Sequence, residues 1–200
     1  MLRSIEQEVG AGAIMATTAA RRRFTVDDYH RMAEAGILHE DDRVELIDGD
    51  IVEMSAIGSH HSACTKRLSR ILHRGFGDVV IIGTQDPVEL GEHYEPEPDI
   101  SVLHYRGDYY AEHTPTAADV ILLIGVADSS LRYDREVKLP VYARAGIPEA
   151  WIVDLIDETM ERHTDPVDGT YRRVVRAGRG GEIESTMLPG LVLRANDVLG

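Results

Sequence analysis

Val120-Ile121-Leu122-Leu123-Ile124-Gly125-Val126 is an unbroken apolar run of strand length. Such a run is expected of a central strand covered on both faces. A helical stretch follows from about Arg132 to Ala145, stopped by Gly146 with Pro148 just beyond. Pro140 inside it removes one backbone hydrogen bond and predicts a local kink. Ala150–Leu155 then reads as a second core strand. Strand, helix, strand in that order marks the centre of a mixed sheet.

The flanks fit around that centre. Thr25 with Asp28 forms a capping box, opening a helix with Tyr29, Met32 and Ala33 on one face and Gly36 at its end. Arg43–Ile47 and Asp50–Met54 flank Asp48-Gly49, a strong hairpin-turn signal. Ser59 reads as the cap of a helix to about Phe76, with Cys64, Leu68, Ile71 and Leu72 as its apolar stripe. Val79–Gly83, Pro87–Leu90 and Asp99–Leu103 are strand-like, and 104–119 is a loop or partial helix. Turns at Asp165–Gly169 and Gly178–Gly181 make the remainder antiparallel hairpin material. The expected fold is α/β (α+β), a mixed sheet with helices against it. Residues 1–23 are Ala/Gly/Thr-rich without a sustained period and read as a disordered leader, with Met15 an alternative start to Met1. Residues 24–200 read as one domain.

Composition narrows the classes. Apolar content of 43% with 28% charged residues is ordinary for a soluble globular protein. No apolar run approaches the roughly 20 residues of a membrane span, and the N-terminus lacks the apolar core of a secretory signal. A single cysteine, Cys64, excludes an internal disulfide and a cysteine-based zinc site, and points to a reducing cytoplasm. The net charge of −14 offers no basic face in aggregate. Arg21-Arg22-Arg23 and the run Arg172, Arg173, Arg176, Arg179 stand as the only basic concentrations, each read as solvated surface. This balance argues against tight non-specific DNA binding without metal, although bound cations reverse a local acidic field.

Chemistry concentrates in a few places. In Glu95-Pro96-Glu97-Pro98-Asp99 the prolines hold the approach extended, and period-two alternation puts Glu97 and Asp99 on one side. Paired carboxylates suit Mg²⁺ or Mn²⁺, though such a run alone is more often a solvated acidic loop. Glu45, between Val44 and Leu46, turns away from both, towards solvent or a cleft. Asp134, Lys138 and Tyr142 share one helical face; taken alone, Asp134–Lys138 is a surface ion pair worth at most ~0.5 kcal/mol. His60-His61 at a helix start is placed to reach a phosphate or a metal, yet no second histidine follows at zinc spacing, and the pair reads as structural or solvated. Ser129-Ser130 lacks the G-x-S-x-G turn of a hydrolase nucleophile. No phosphate-cradling glycine loop occurs. What remains is a carboxylate at a strand start, an apolar strand beside it and a lysine from the next helix: the frame of a metal-dependent phosphodiesterase.

Several segments together resemble a known family. Asp42–Val52 (Asp-Arg-Val-Glu-Leu-Ile-Asp-Gly-Asp-Ile-Val), Gly58–His61, Glu97-Pro98-Asp99-Ile100, Val126-Ala127-Asp128-Ser129-Ser130, Tyr133-Asp134-Arg135 with Lys138, and Tyr142–Asp154 are similar to the Uma family of restriction endonucleases. The likeness runs from about Phe24 to the C-terminus. The family belongs to the PD-(D/E)XK nuclease superfamily, and the resemblance implies a restriction-endonuclease-like core, Mg²⁺-dependent cleavage of DNA, and a lysine displaced to the helix after the central strand. Carried over, Glu45 is the helper acid, Asp99 the metal ligand and Lys138 the catalytic lysine. Restriction-type folds often act as homodimers, so a second copy is an implied partner.

One position departs from the pattern. The family usually reads Ile-Glu-Val where this chain has Ile124-Gly125-Val126, and the resemblance makes that glutamate the second metal ligand. The Val126 backbone carbonyl and Glu45 remain as further donors. Loss of a hard carboxylate weakens a site that needs near-octahedral oxygen geometry. Glycine in mid-strand also costs roughly 0.5–1 kcal/mol. Two readings follow: a Mg²⁺-dependent DNA endonuclease impaired at Gly125, or a non-catalytic nuclease-fold module that binds nucleic acid or protein. Either predicts Asp99, Gly125 and Lys138 in one cleft, with the Lys138 amine near the Gly125 backbone and Glu45 facing the same cleft.

Overall fold

The computed structural model describes residues 21–39 and 41–200. The first helix, α1 (Val26–Glu34), opens on the expected capping box: the Asp28 amide donates to Thr25 Oγ1 at 3.0 Å, and the Thr25 amide to Asp28 Oδ2 at 3.3 Å. Gly36 follows it at a left-handed φ of 68°. Strands β1 (Val44–Ile47) and β2 (Asp50–Glu53) form the hairpin, with Asp48 and Gly49 at φ 55° and 75°. Only a near-bare backbone fits at Gly49, where a Cβ would stand 2.6 Å from that of Arg23. The leader expected over 1–23 falls outside the described residues up to position 20. Arg21, Arg22 and Arg23 are described and pair with Asp50, Asp28 and Asp48.

Helix α2 (Ser59–Phe76) is capped by Gly58, so Ser59 is its first residue rather than its cap, and no side chain closes that end. Strands β3 (Val80–Gly83), β4 (Ile100–His104) and β5 (Val120–Ala127) follow. The strand expected at Pro87–Leu90 is not formed. Val88 and Leu90 are buried, but the Val88 amide donates to the Pro96 carbonyl, and among the described residues the only ladder contact is an isolated bridge, Glu89 to Thr116. After β5 the chain is helical in three pieces: α3 (Leu131–Tyr133), a π-turn (Asp134–Lys138) and α4 (Leu139–Arg144). The kink read from Pro140 therefore takes the form of a π-turn just before the proline. Strands β6 (Glu149–Asp154), β7 (Thr159–Val167), β8 (Thr170–Gly178), β9 (Glu182–Glu184) and β10 (Val192–Arg194) end in α5 (Ala195–Leu199), a helix too short to show a period in sequence.

The main sheet has the order β3-β4-β5-β6-β7-β8, with β5 and β6 its parallel pair. β5 is buried on both faces, as its composition requires. Leu122, Ile124 and Val126 pack under α2 with Cys64, Leu68 and Leu72. Leu123 and Ala127 face α4, with Leu139, Tyr142 and Ile152. Each such buried aliphatic side chain contributes roughly 1.5–3 kcal/mol. No helix among the described residues is long and apolar enough to cross a membrane.

Two buried carboxylates lock the second half of the chain. Glu149 accepts from Trp151 Nε1, Ser185 Oγ, and both the amide and hydroxyl of Thr186. Glu161, on β7, accepts from Arg135 of the π-turn, from Arg176 and from His163. Arg176 thus serves a buried acid, not solvent alone as its basic run suggests. Burial pushes the Glu161 carboxyl up, but the three donors outweigh it and hold its pKa at about 2, below the usual value near 4.5. A depressed carboxyl stabilises the fold above its unfolded pKa and loses that contribution as pH falls towards the folded one. Chemical denaturation between pH 5 and pH 2 is expected to show a loss on the order of 2 kcal/mol that Glu161→Gln abolishes.

Candidate active site

The cleft is assembled from four segments. Residue 95 pairs with β1 through Leu46, the amide of each donating to the carbonyl of the other at 2.8 and 3.3 Å. That bridge lays the Pro96–Pro98 strap beside the hairpin and delivers Asp99 to the start of β4. The ladder pair Ile100–Ile124 places Asp99 opposite Gly125 one step further on. The helical segment after β5 returns over the same sheet face with Tyr133, Asp134 and Lys138, and α2 contributes His61. The enclosed volume is about 300 Å³, lined by Glu45, Glu97, Asp99, Val126 and Lys138 among others.

Glu45 is 1% exposed and points inward, settling the choice between solvent and cleft. Its Oε2 accepts from Lys138 Nζ at 2.8 Å and from the Glu97 amide at 3.2 Å; its Oε1 accepts from the Tyr133 hydroxyl at 3.3 Å. The Lys138 ammonium also reaches the Glu97 carbonyl at 3.5 Å. These two contacts are the amine's hydrogen-bond partners. Asp134 does not pair with Lys138: it accepts from Ser130 Oγ at 2.7 Å. In the π-turn the Leu139 amide donates to the Asp134 carbonyl, five residues back, so the four-residue register behind that expected pair no longer applies.

Asp99 is oriented from three sides. Its Oδ2 accepts from the Val126 amide at 2.7 Å, and its Oδ1 lies 3.0 Å from His61 Nε2 and 3.4 Å from Gln85 Nε2. Because the amide and carbonyl of one strand residue point to the same side, the Val126 carbonyl also faces this flank. His61, which read as structural or solvated, donates to the Asp99 carboxylate, and that bond holds its pKa above the ordinary value. Glu97 also lines the cleft, and its carboxyl is pushed up first by burial and then by repulsion from Glu45. Burial, with the Glu45 charge next, raises the Tyr133 hydroxyl as well.

The donors of this cleft are hard oxygens, the type Mg²⁺ takes. Among the described residues no three His, Cys, Asp or Glu side chains gather as a ready metal cage. Mg²⁺ is commonly held by one or two carboxylates together with substrate phosphate and water, and Asp99 with Glu97 fits that pattern. At Gly125 a Cβ would find nothing nearer than the Trp151 carbonyl at 3.9 Å, so the slot opposite Asp99 has room for a side chain.

A mixed sheet whose central strand, preceding strap and following helix bring two acids and a lysine into one cleft defines a restriction-endonuclease-like nuclease fold. The chain belongs to the family described as "Uma2: Putative restriction endonuclease", whose model matches residues 26–196. It is similar to the crystal structure of "a putative nuclease belonging to DUF820" from Anabaena variabilis, with a TM-score of 0.68 and 15% identity over 88% of this chain and 97% of that one. No curated protein matches the chain.

Sequence reasoning reached Glu45, Asp99 and Lys138, weighed His61 and set it aside as structural or solvated, and passed over Gln85 and Tyr133 as site residues. Tyr133 precedes the acid of a recognisable motif, and the sequence signal for Gln85 is nil. The Lys138–Glu45 pair is 13% and 1% exposed, so removing one charge strands the other out of water. Urea unfolding of Glu45→Gln is expected to cost about 3 kcal/mol. A double-mutant cycle with Lys138→Met is expected to give a coupling of about 1–3 kcal/mol. A coupling near zero would mean the pair is screened by solvent.

Proposed function

We propose that the chain is a DNA endonuclease that hydrolyses phosphodiester bonds in this cleft, with Glu45, Asp99 and Lys138 as its catalytic set and Mg²⁺ or Mn²⁺ as its cofactor. The observation that carries the reading is the meeting of Lys138 with Glu45, in the cleft that Asp99 lines. Asp99, Glu97 and the Val126 carbonyl would hold the ion, with Glu45 as a further donor. When bound, the ion neutralises phosphate oxygens and lowers the pKa of water. The protein's own groups do the rest. Lys138 places a fixed positive charge where negative charge grows on the phosphate. Glu45, Tyr133 and the Glu97 backbone keep that ammonium placed. His61, Gln85 and the Val126 amide keep the Asp99 carboxylate aimed into the cleft.

A second reading has its own support: both Asp99 oxygens already accept hydrogen bonds from the protein, and position 125 supplies no carboxylate. This arrangement favours a nuclease-fold module that binds nucleic acid without turnover. Plasmid nicking in Mg²⁺ or Mn²⁺ separates the two, with Lys138→Ala as the blank. Gly125→Glu is expected to raise cleavage about 10²–10³-fold over the natural chain, the usual scale for one transition-state group. Cleavage absent from both chains would favour the non-catalytic module.

A further inference from the structure

Between Ser59 and Phe76, α2 carries no acidic residue. Lys66, Arg70 and Arg74 recur at every fourth position, which sets them along one face of the helix, and His73 stands beside them. All four are exposed, and among the described residues Lys66, Arg70 and Arg74 form no ion pair. Elsewhere the arginines are commonly matched to carboxylates, as in Arg132–Glu136 and Arg179–Glu158. The stripe therefore concentrates unpaired positive charge in a chain of net charge −14. The sequence signal was the spacing, invisible as a run because three residues separate successive cations.

The stripe also walls a groove. A second depression of about 350 Å³ runs along α2, lined by Lys66, Arg70, His73 and the hydroxyls of Ser62, Ser69 and Thr84, with no carboxylate in its walls among the described residues. Ile57, His61 and Gln85 line both this groove and the active-site cleft, so the two adjoin along these side chains. At the junction, His61 and Gln85 are the two side chains on Asp99 Oδ1. From His61 to His73 the helix rises about 18 Å at 1.5 Å per residue, the axial length of about five phosphates of one strand.

We propose that this groove carries one phosphodiester strand of the nucleic acid away from the active-site cleft, with phosphates on Lys66 and Arg70 and hydrogen bonds from the hydroxyls and His73. The proposal rests on the nucleic-acid reading of the cleft. A concave, hydroxyl-lined track that ends at the reacting site matches the spaced oxygens of a phosphate backbone. An anionic membrane surface is flat and would need only the charges.

The test is fluorescence anisotropy of a labelled DNA duplex across a salt series, with Ca²⁺ replacing Mg²⁺ to hold the cleft without cutting. The full chain is compared with Lys66→Gln/Arg70→Gln and with Arg172→Gln, an exposed cation on the far edge strand. The double variant is expected to keep its melting temperature, to bind at least tenfold more weakly, and to lose about two from the slope of log affinity against log salt. Arg172→Gln is expected to keep affinity and slope. An unchanged slope in the double variant, with the natural chain binding normally, overturns the groove and leaves the nucleic-acid reading intact. No binding by the natural chain at low salt overturns both. Phosphatidylserine vesicles form the second arm: vesicle binding lost in the double variant while the DNA slope stays unchanged would reassign the stripe to lipid.

Discussion

The ion pair between Lys138 and Glu45 is the contact on which the cleft depends. Two charges removed from water cost several kcal/mol each, and the cost is offset only when both are paired and fully hydrogen-bonded. Glu45 meets that condition with three donors, Lys138, Tyr133 and the Glu97 amide, on its two oxygens. Satisfying it ties three separate segments together: the β1–β2 hairpin, the proline strap that leads to Asp99, and the helical segment after β5. The hairpin belongs to none of the main sheet's ladders. It is held by the Leu46–Glu95 bridge, by the Tyr29 hydroxyl on the Val44 carbonyl, and by this buried charge. The same contact that builds the cleft therefore also attaches its wall.

Lys138 reaches Glu45 because the helix is not regular. Pro140 has no amide to donate to the Glu136 carbonyl, and its ring would clash with that carbonyl in an α-helix. A π-turn over Asp134–Lys138 relieves the conflict by spreading one extra residue into the turn. The change of register separates two residues that an α-helix would stack. Asp134 turns to Ser130 at the start of the segment, and Lys138 turns to the hairpin. On the opposite side of the turn, Arg135 is fixed by Glu161 on β7, so the irregular segment is anchored from both flanks.

The parts of this molecule that were legible in sequence are those governed by short-range rules. The Thr25 capping box, the Asp48-Gly49 hairpin, the doubly buried β5 and the stop at Gly146 each follow from residues within a few positions of one another. Alternation turned Glu45 away from its apolar neighbours and set Asp99 on one side with Glu97, while their roles in the site were legible only through the family resemblance. What escaped depended on contacts far apart in the chain. Pro87–Leu90 has strand composition, yet its partners are the Pro96 carbonyl and the Thr116 region rather than a sheet edge. His61 had no partner at any recognisable spacing because Asp99 reaches it from another layer. The Asp134–Lys138 pairing failed for a local reason that Pro140 announced, but a proline predicts a kink without predicting which register the kink selects.

Gly125 has no structural justification, and that bears on how the site is to be understood. Glycine is needed where φ is positive or where another chain passes too close for a Cβ. Gly125 meets neither condition: its φ is not in the left-handed region, and the nearest atom to where a Cβ would stand is a carbonyl 3.9 Å away. A strand interior is a place where glycine is mildly unfavourable. The packing of Leu123 and Ala127 on the same face proceeds around it without filling the gap. Folding would thus accept a larger residue here at little or no cost. The missing side chain matters only to what the cleft can hold beside Asp99, so the chemistry of position 125 is separable from the stability of the strand that carries it.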